Sequence, residues 1–453
     1  MKKQRIVALF FILVWMLTLT PDAFAKDDFN VEARAALLLD VGSGEVLYEK
    51  NAHEHNYPAS ITKVMTALLT LEAVRDGRLS LDQEITASES AFEGLAADGS
   101  TANIKPGEVM SVENLLNCLL IVSANEAANI LAEAVAGDVP SFVAQMNQRA
   151  GELGCNDTHF ANPSGLHNGE HYTSAWDILT FTGEALKYDT FREIIARKAY
   201  DVPATNVSKS RALHTTNYLI SNWRTRGYVY EYATGGKTGS TPEAGYCLVA
   251  TAEKGTRGLI SVVLGAERET LEDKTVLTKS FSETIRLFDH GFDDFKSMEL
   301  VDTGEYIQEV PVELSSETNY IVIHPAEGIR RMVPAELERE MLERDIELFS
   351  ESVDAPIAEG DVLGRMSISY EGVDYGTVDL VALNDVSASW LLTKEREVKE
   401  FLSQTWVKVA GAVAALLAIG LVALRVAAGS RPKRYAKKKA GYNYNGYRGR
   451  KRR

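Results

Sequence analysis

Residues 56–69 read NYPASITKVMTALL, and the fold turns on how that stretch is taken. Ile61, Val64, Met65, Leu68, Leu69, Leu71 and Val74 put apolar side chains on nearly every face of a helix over Ile61–Val74, so the spacing predicts a helix buried on all sides. Ser60 and Lys63 stand three apart at its start, where i and i+3 share a face with side chains ~5–6 Å apart. A hydroxyl and an amine can meet there, and a helix N-terminus favours developing negative charge. The same S-x-x-K spacing recurs at Ser430–Lys433, in a basic tail, so the pattern alone carries little.

Working outward, Ala35–Asp40 and Glu45–Glu49 are strand-like and joined by Val41-Gly42-Ser43-Gly44, a hairpin signal. Helices are predicted at Val112–Val122, Glu126–Val135, Ser141–Leu153, Trp176–Lys187 and Leu277–Phe288. Gly245–Ala252 and Leu259–Ala266 form a second hairpin around Glu253–Gly258. Strands at both ends with helices between predict an α/β (α+β) domain whose antiparallel sheet is assembled from both termini and covered by helices. From about Val301 the texture becomes short alternating strands, such as Tyr320–Ile323, Met366–Tyr370 and Gly376–Ala382, which predicts a smaller all-β domain. Glu336–Glu347 is charge-dense and reads as a solvated connection.

The ends of the chain report location. Lys2, Lys3 and Arg5 precede the uncharged Ile6–Leu19 and then Ala23-Phe24-Ala25, the pattern of an export signal cleaved after Ala25. Residues 406–428 are almost uniformly apolar and long enough to cross a bilayer, with Lys408 and Arg425 free to snorkel. The tail beyond holds eleven Lys/Arg from Arg431 to Arg453 and no acid, which predicts a cytoplasmic tail on a single-pass cell-membrane protein. Its Tyr442, Tyr444 and Tyr447 could serve nucleic acid or anionic lipid, but topology already accounts for the charge. The formal net charge of -15 hides a body, residues 26–405, with 32 bases and 62 acids. Such a body repels phosphate, so no nucleic-acid partner is expected. The predicted organisation is signal 1–25, catalytic domain 26–298, β-rich domain 299–390, linker 391–405, span 406–428 and tail 429–453.

Two further pieces give Ser60 and Lys63 meaning. Ser123-Ala124-Asn125 falls at a turn between two helices, and Lys237-Thr238-Gly239 precedes the second hairpin; each motif occurs once. Ser123 alone could be a helix cap, Lys237 a surface cation and Gly239 a turn residue. Three motifs in this order, each at an element boundary, are not explained that way. The cysteines, Cys118, Cys155 and Cys247, are few and odd in number and imply no disulfide framework. His53, Glu54, His55 and the His167…His171 spacing come without a H-E-x-x-H helix or a third ligand, so no metal is expected, and no phosphate loop or other cofactor motif is present.

With these motifs, the sequence resembles the serine-type D-alanyl-D-alanine carboxypeptidases, the low-molecular-mass penicillin-binding proteins. The resemblance runs over about residues 29–390 and includes NYPASITKVMTALL (56–69), NPSGLHNGEHYTSAWD (162–177), TGGKTGSTPEAGYCLVA (234–250) and the distal APIAEGDVLGRMSISYEGVDYGTVDLVALNDV (355–386). It departs at Glu126, where relatives commonly have Asp, and in an apparent membrane span where many end in an amphipathic helix. The resemblance implies a penicillin-binding transpeptidase-like domain followed by the β-rich one. It also implies a peptidoglycan stem peptide ending in D-Ala-D-Ala as substrate, β-lactams as inhibitors and no cofactor. By it, Ser60 is the nucleophile, Lys63 its base, Ser123 a proton relay and Asn125 a holder of the substrate amide. Lys237 and Thr238 would bind the terminal carboxylate, and Gly239 would let the peptide approach the strand edge. The N–H groups of Ser60 and Ser240 would be oxyanion donors, and His171 a structural support. A β-lactamase would need an added general base, and none is evident after Ser123. A penicillin-binding sensor would need more output than a short tail. Transpeptidation stays open, since the acyl-enzyme is common to both outcomes.

Overall fold

The computed structural model describes residues 29–429 apart from 97, 273 and 275; the predicted export signal and nearly all of the basic tail lie outside the described residues. Its centre is a five-stranded sheet built from Ala35–Asp40 (β1), Val46–Lys50 (β2), Ala233–Thr241 (β3), Gly245–Lys254 (β4) and Arg257–Ala266 (β5). The order β2-β1-β5-β4-β3 is antiparallel throughout, with β1 zipped onto β5 from Ala35↔Leu264 to Asp40↔Leu259. The first and last strands of this sheet are therefore neighbours, as expected from the sequence.

Both faces of this sheet are covered, which is why β4 and β5 read as continuous apolar runs instead of alternating ones. Leu37, Val249, Ile260 and Val262 face a large cluster that also holds Val64, Met65 and Leu68. Leu38, Leu248, Leu259 and Val263 face the opposite cluster with Leu287 and Phe288. The helical layer comprises Lys63–Arg75 (α1), Val112–Ile121 (α2), Asn125–Ala136 (α3), Val139–Glu152 (α4) and Ala175–Ala185 (α5); Lys279–Asp293 (α6) covers the other face. Every residue of α1 from Lys63 to Ala73 is buried. Truncating one of its leucines to Ala would cost about 2–5 kcal/mol.

Two sequence expectations are corrected, and a third stretch gains a secondary structure. The hairpin Glu253–Gly258 is tighter than predicted, because β4 runs to Lys254 and β5 starts at Arg257. Residues 336–347, expected to be a solvated connection, contain the start of a strand, Glu343–Leu348, whose charged side chains are mostly exposed while its backbone pairs. The predicted linker 391–405 is helical over Trp390–Ser403.

Packing divides the chain into two units. The first runs to Asp302 and takes in 327–345 and 367–378; the second comprises 303–326, 346–366 and 379 onward. In the second unit Gln308–Glu313 pairs antiparallel with Tyr320–Pro325, which pairs in turn with the end of Val373–Ala382. Val310 and Val312 are buried while Glu309, Pro311 and Glu313 are exposed, the alternation of a one-sided sheet. The described chain ends in a 25-residue helix, Thr405–Gly429, with a mean hydropathy of 2.4 over its most apolar window. At ~1.5 Å per residue it reaches across a bilayer core of about 30 Å. Among the described residues it is the one helix long and apolar enough to do so.

Candidate active site

Pro58 leads into a short 3₁₀ turn, Ala59–Thr62, that carries Ser60 and hands the chain to α1 at Lys63. Ala59 sits at φ +47°, in the left-handed region, so the turn is held by its surroundings. Lys63 is fully buried. Its Nζ lies 2.9 Å from Ser60 Oγ, 2.8 Å from Asn125 Oδ1 and 2.5 Å from the Ser164 carbonyl oxygen. Burial first, and then the charge of Lys237, hold the Lys63 ammonium well below the ordinary lysine range, with Glu126 opposing them. Ser164 can approach because Gly165 follows it at φ +80°: a Cβ there would stand 1.8 Å from the Ala59 carbonyl oxygen.

Ser123, also left-handed at φ +63°, lies in the break between α2 and α3 and accepts from Lys237 Nζ at 3.0 Å. Lys237 also donates to the Thr238 carbonyl at 2.7 Å, and burial pushes its pKa down to about 7. Thr238 Oγ1 lies 2.6 Å from Thr216 Oγ1. Lys237-Thr238-Gly239 belongs to β3, the outermost strand on its side of the sheet. A Cβ on Gly239 would come 2.7 Å from the Pro58 carbonyl oxygen and 3.1 Å from Ser60 N. Gly239 was expected to admit substrate; its missing side chain also seats β3 against the turn that bears Ser60.

Supporting bonds fix these parts. The Ala161 N–H donates to His171 Nδ1 at 3.1 Å, so Nδ1 must accept and Nε2 carries the hydrogen. Nε2 lies 2.8 Å from Thr62 Oγ1, which in turn donates to the Ala59 carbonyl at 2.9 Å. Burial pushes the His171 pKa down to about 4, keeping the ring neutral. Both ring nitrogens are thus engaged by protein. Buried Glu126 accepts from Thr101 Oγ1 at 2.7 Å and Ala102 N at 2.8 Å, tying the loop before α2 to the first turn of α3.

These elements surround a cleft of about 750 Å³ whose walls include Ser60, Ser123, Thr238, Gly239 and Ser240. Lys63, Asn125 and Lys237 lie buried behind that wall. Lys237, expected at the terminal carboxylate, has its buried ammonium engaged by Ser123, and half-buried Thr238 is the one of the two that lines the cleft. Four contributors escaped the sequence reading: Ser164, Thr216, Thr62 as the link from His171, and Glu126 as a loop clasp. Ser164 acts through its carbonyl, which no side-chain pattern can flag, although it belongs to the family-like stretch 162–177.

A serine hydroxyl against a buried lysine, with a second serine–lysine pair across a cleft beside an open strand edge, defines a serine hydrolase of the penicillin-binding fold. Residues 22–268 match the family model described as D-alanyl-D-alanine carboxypeptidase, and residues 295–388 match the penicillin-binding protein 5 C-terminal domain. The chain belongs to the D-alanyl-D-alanine carboxypeptidase family. It is 31% identical over 396 residues to the D-alanyl-D-alanine carboxypeptidase DacF of Bacillus subtilis, covering 86% of this chain and 96% of that one. Among solved structures, penicillin binding protein 5 from Haemophilus influenzae matches with a TM-score of 0.58 at 27% identity, over 79% of this chain and 98% of that one. The D-alanyl-D-alanine carboxypeptidase DacD from Francisella tularensis matches at 0.64 and 25%, over 83% and 98%.

Proposed function

We propose that this chain removes the terminal D-Ala from peptidoglycan stem peptides through an acyl-enzyme on Ser60, and that penicillins are trapped at the same stage. The observation that carries this is the environment of Lys63 Nζ. Of its three partners, the Asn125 Oδ1 and Ser164 carbonyl oxygens can only accept, whereas Ser60 Oγ can also donate. A neutral Lys63 has two N–H groups and one lone pair. The two pure acceptors take the N–H groups, so the lone pair falls to the Ser60 hydroxyl. Burial favours that neutral form.

Ser60 Oγ then attacks the carbonyl carbon of the penultimate D-Ala as its proton passes to Lys63. The N–H groups of Ser60 and Ser240 receive the oxyanion; one such donor is worth roughly 2.7–4 kcal/mol. Collapse breaks the C–N bond, and the leaving amine takes a proton relayed through Ser123. Water then attacks the ester as its proton passes to Lys63, the C–O bond to Ser60 breaks, and that proton returns from Lys63 to Ser60 Oγ, 2.9 Å away. Asn125 holds the substrate amide, Thr238 the terminal carboxylate with Lys237 behind it, and the peptide extends the sheet along β3. The catalytic body works outside the cell, with the helix Thr405–Gly429 in the membrane, the first 25 residues removed on export and the basic tail in the cytoplasm.

The test uses the full chain in detergent with a peptide ending in D-Ala-D-Ala. Free D-Ala is expected from the wild type and none from Ser60→Ala, and a labelled penicillin should attach to Ser60. Labelling at Ser60 with no release of D-Ala would overturn the carboxypeptidase reading. Labelling that survives Ser60→Ala would move the nucleophile elsewhere.

A further inference from the structure

Twelve arginines lie between residues 29 and 302. Eight of them reach a carboxylate within 4 Å, and Arg34 donates to the Glu243 carbonyl. The remaining three are Arg224, Arg226 and Arg268. Among the described residues none of their side chains has an ion pair or a hydrogen bond, and all three line the cleft that opens on Ser60. Arg268 is backed by the Tyr246 ring, 5.9 Å from its centroid. Its neighbour Glu269 is already held by Lys279 at 3.2 Å.

In a body as acidic as this one, carboxylates are abundant, so three guanidinium groups lining one cleft without an ion pair among the described residues are a concentration of positive potential. Guanidinium groups recognise carboxylates and phosphates through paired N–H donors. The leaving D-Ala brings a single carboxylate, and nothing lies beyond it on that side of the scissile bond. One cation in the cleft that Thr238 also lines, Arg268, meets that demand. Arg224 and Arg226, on the exposed segment before β3, are then left over.

Building on the carboxypeptidase reading, we infer that Arg224 and Arg226 form a specificity subsite for a second carboxylate, carried by the peptide on the acyl side of the scissile bond. Stem peptides whose acidic groups are free are the substrates this cleft selects, and peptides with those groups converted to carboxamides are discriminated against. The two arginines touch no reacting atom; they bind and orient the peptide.

The test uses the full chain in detergent and two pairs of acetylated peptides ending in D-Ala-D-Ala. One pair has Glu or Gln immediately before D-Ala-D-Ala, the other has Glu or Gln one residue further upstream. The readout is kcat/KM for D-Ala release. In at least one pair the carboxylate peptide should exceed its carboxamide by about ten-fold, the size of one charge-assisted contact. That ratio should fall toward one in the Arg224→Gln/Arg226→Gln double variant and in about 0.5 M salt. The Arg224→Lys/Arg226→Lys variant should keep part of it. Penicillin labelling of Ser60 reports that each variant is folded. Equal rates within both pairs for the wild type, or a ratio untouched by the double Gln variant, would overturn the subsite while leaving the carboxypeptidase standing. Release of no D-Ala from any of the four peptides would overturn the carboxypeptidase reading, and the subsite with it.

Discussion

His171 Nε2 lies 2.8 Å from Thr62 Oγ1, and through the Thr62 bond to the Ala59 carbonyl it braces the turn that carries Ser60. The brace depends on a neutral ring, since the Ala161 N–H occupies Nδ1. With a folded pKa of about 4 against an ordinary 6.5, the unfolded chain binds the extra proton throughout that window. Stability therefore rises with pH from about 4 to about 6.5 and is lost as pH falls through the same range. The linked loss is about 3 kcal/mol. His171→Gln keeps a donor and an acceptor without a titrating ring, so denaturant melts at pH 4 and pH 7 should show a smaller acid loss for the variant. An identical loss in both proteins would remove His171 from the account.

Lys63 senses two charges of opposite sign. Lys237 lowers its pKa and Glu126 raises it. Lys237→Met should therefore shift the acid limb of the penicillin acylation rate to higher pH, and Glu126→Gln should shift it to lower pH. The measurement is the acylation rate of Ser60 against pH. Shifts in the same direction for both variants would contradict Lys63 as the titrating base.

Gly239→Ala should misplace Ser60. The added Cβ would meet the Pro58 carbonyl oxygen at 2.7 Å, and backbone on both sides leaves little room to yield. Overpacking of this kind costs about 1–3 kcal/mol, and a displacement of about 1 Å at a reacting group can cost roughly 100-fold in rate. Thermal melts and acylation rates measured together should show both losses. A variant that acylates at the wild-type rate would mean that β3 and the Ser60 turn can separate without consequence.

Removal of residues 390–453 should release the protein from membranes. The helix Thr405–Gly429 exposes Leu416, Leu417, Ile419 and Leu421 at 65–69%, an apolar surface that water does not favour. Fractionation after alkaline washing should find the full chain in the pellet and the shortened chain in the supernatant. A shortened chain that stays in the pellet would point to a second membrane contact.

Much of this architecture could be read from residue types alone. Helix α1 was legible because Ile61, Val64, Met65, Leu68 and Leu71 leave it no polar face, and β4 and β5 because their apolar runs are unbroken. Strand β3 was hidden. Its sequence, ATGGKTGST, has no large apolar residue, because Gly235, Gly236 and Gly239 are set against backbone or a neighbouring side chain where a Cβ would clash. The three motifs marked the site, but its acceptors and braces belong to tertiary contacts. The Ser164 carbonyl and the His171–Thr62 bond join segments about a hundred residues apart, and short-range spacing cannot encode such a meeting.

The partners of Lys63 come from positions 60, 125 and 164, and Lys237 arrives from the far end of the domain. No fragment of the chain assembles this set. Attachment of a penicillin to Ser60 would then count only molecules in which the helical layer, the loop before Gly165 and the last strands have all come together. On the proposed mechanism Ser60 doubles as a folding sensor: a half-built chain stays chemically silent, and the first covalent turnover marks the moment the whole domain has closed.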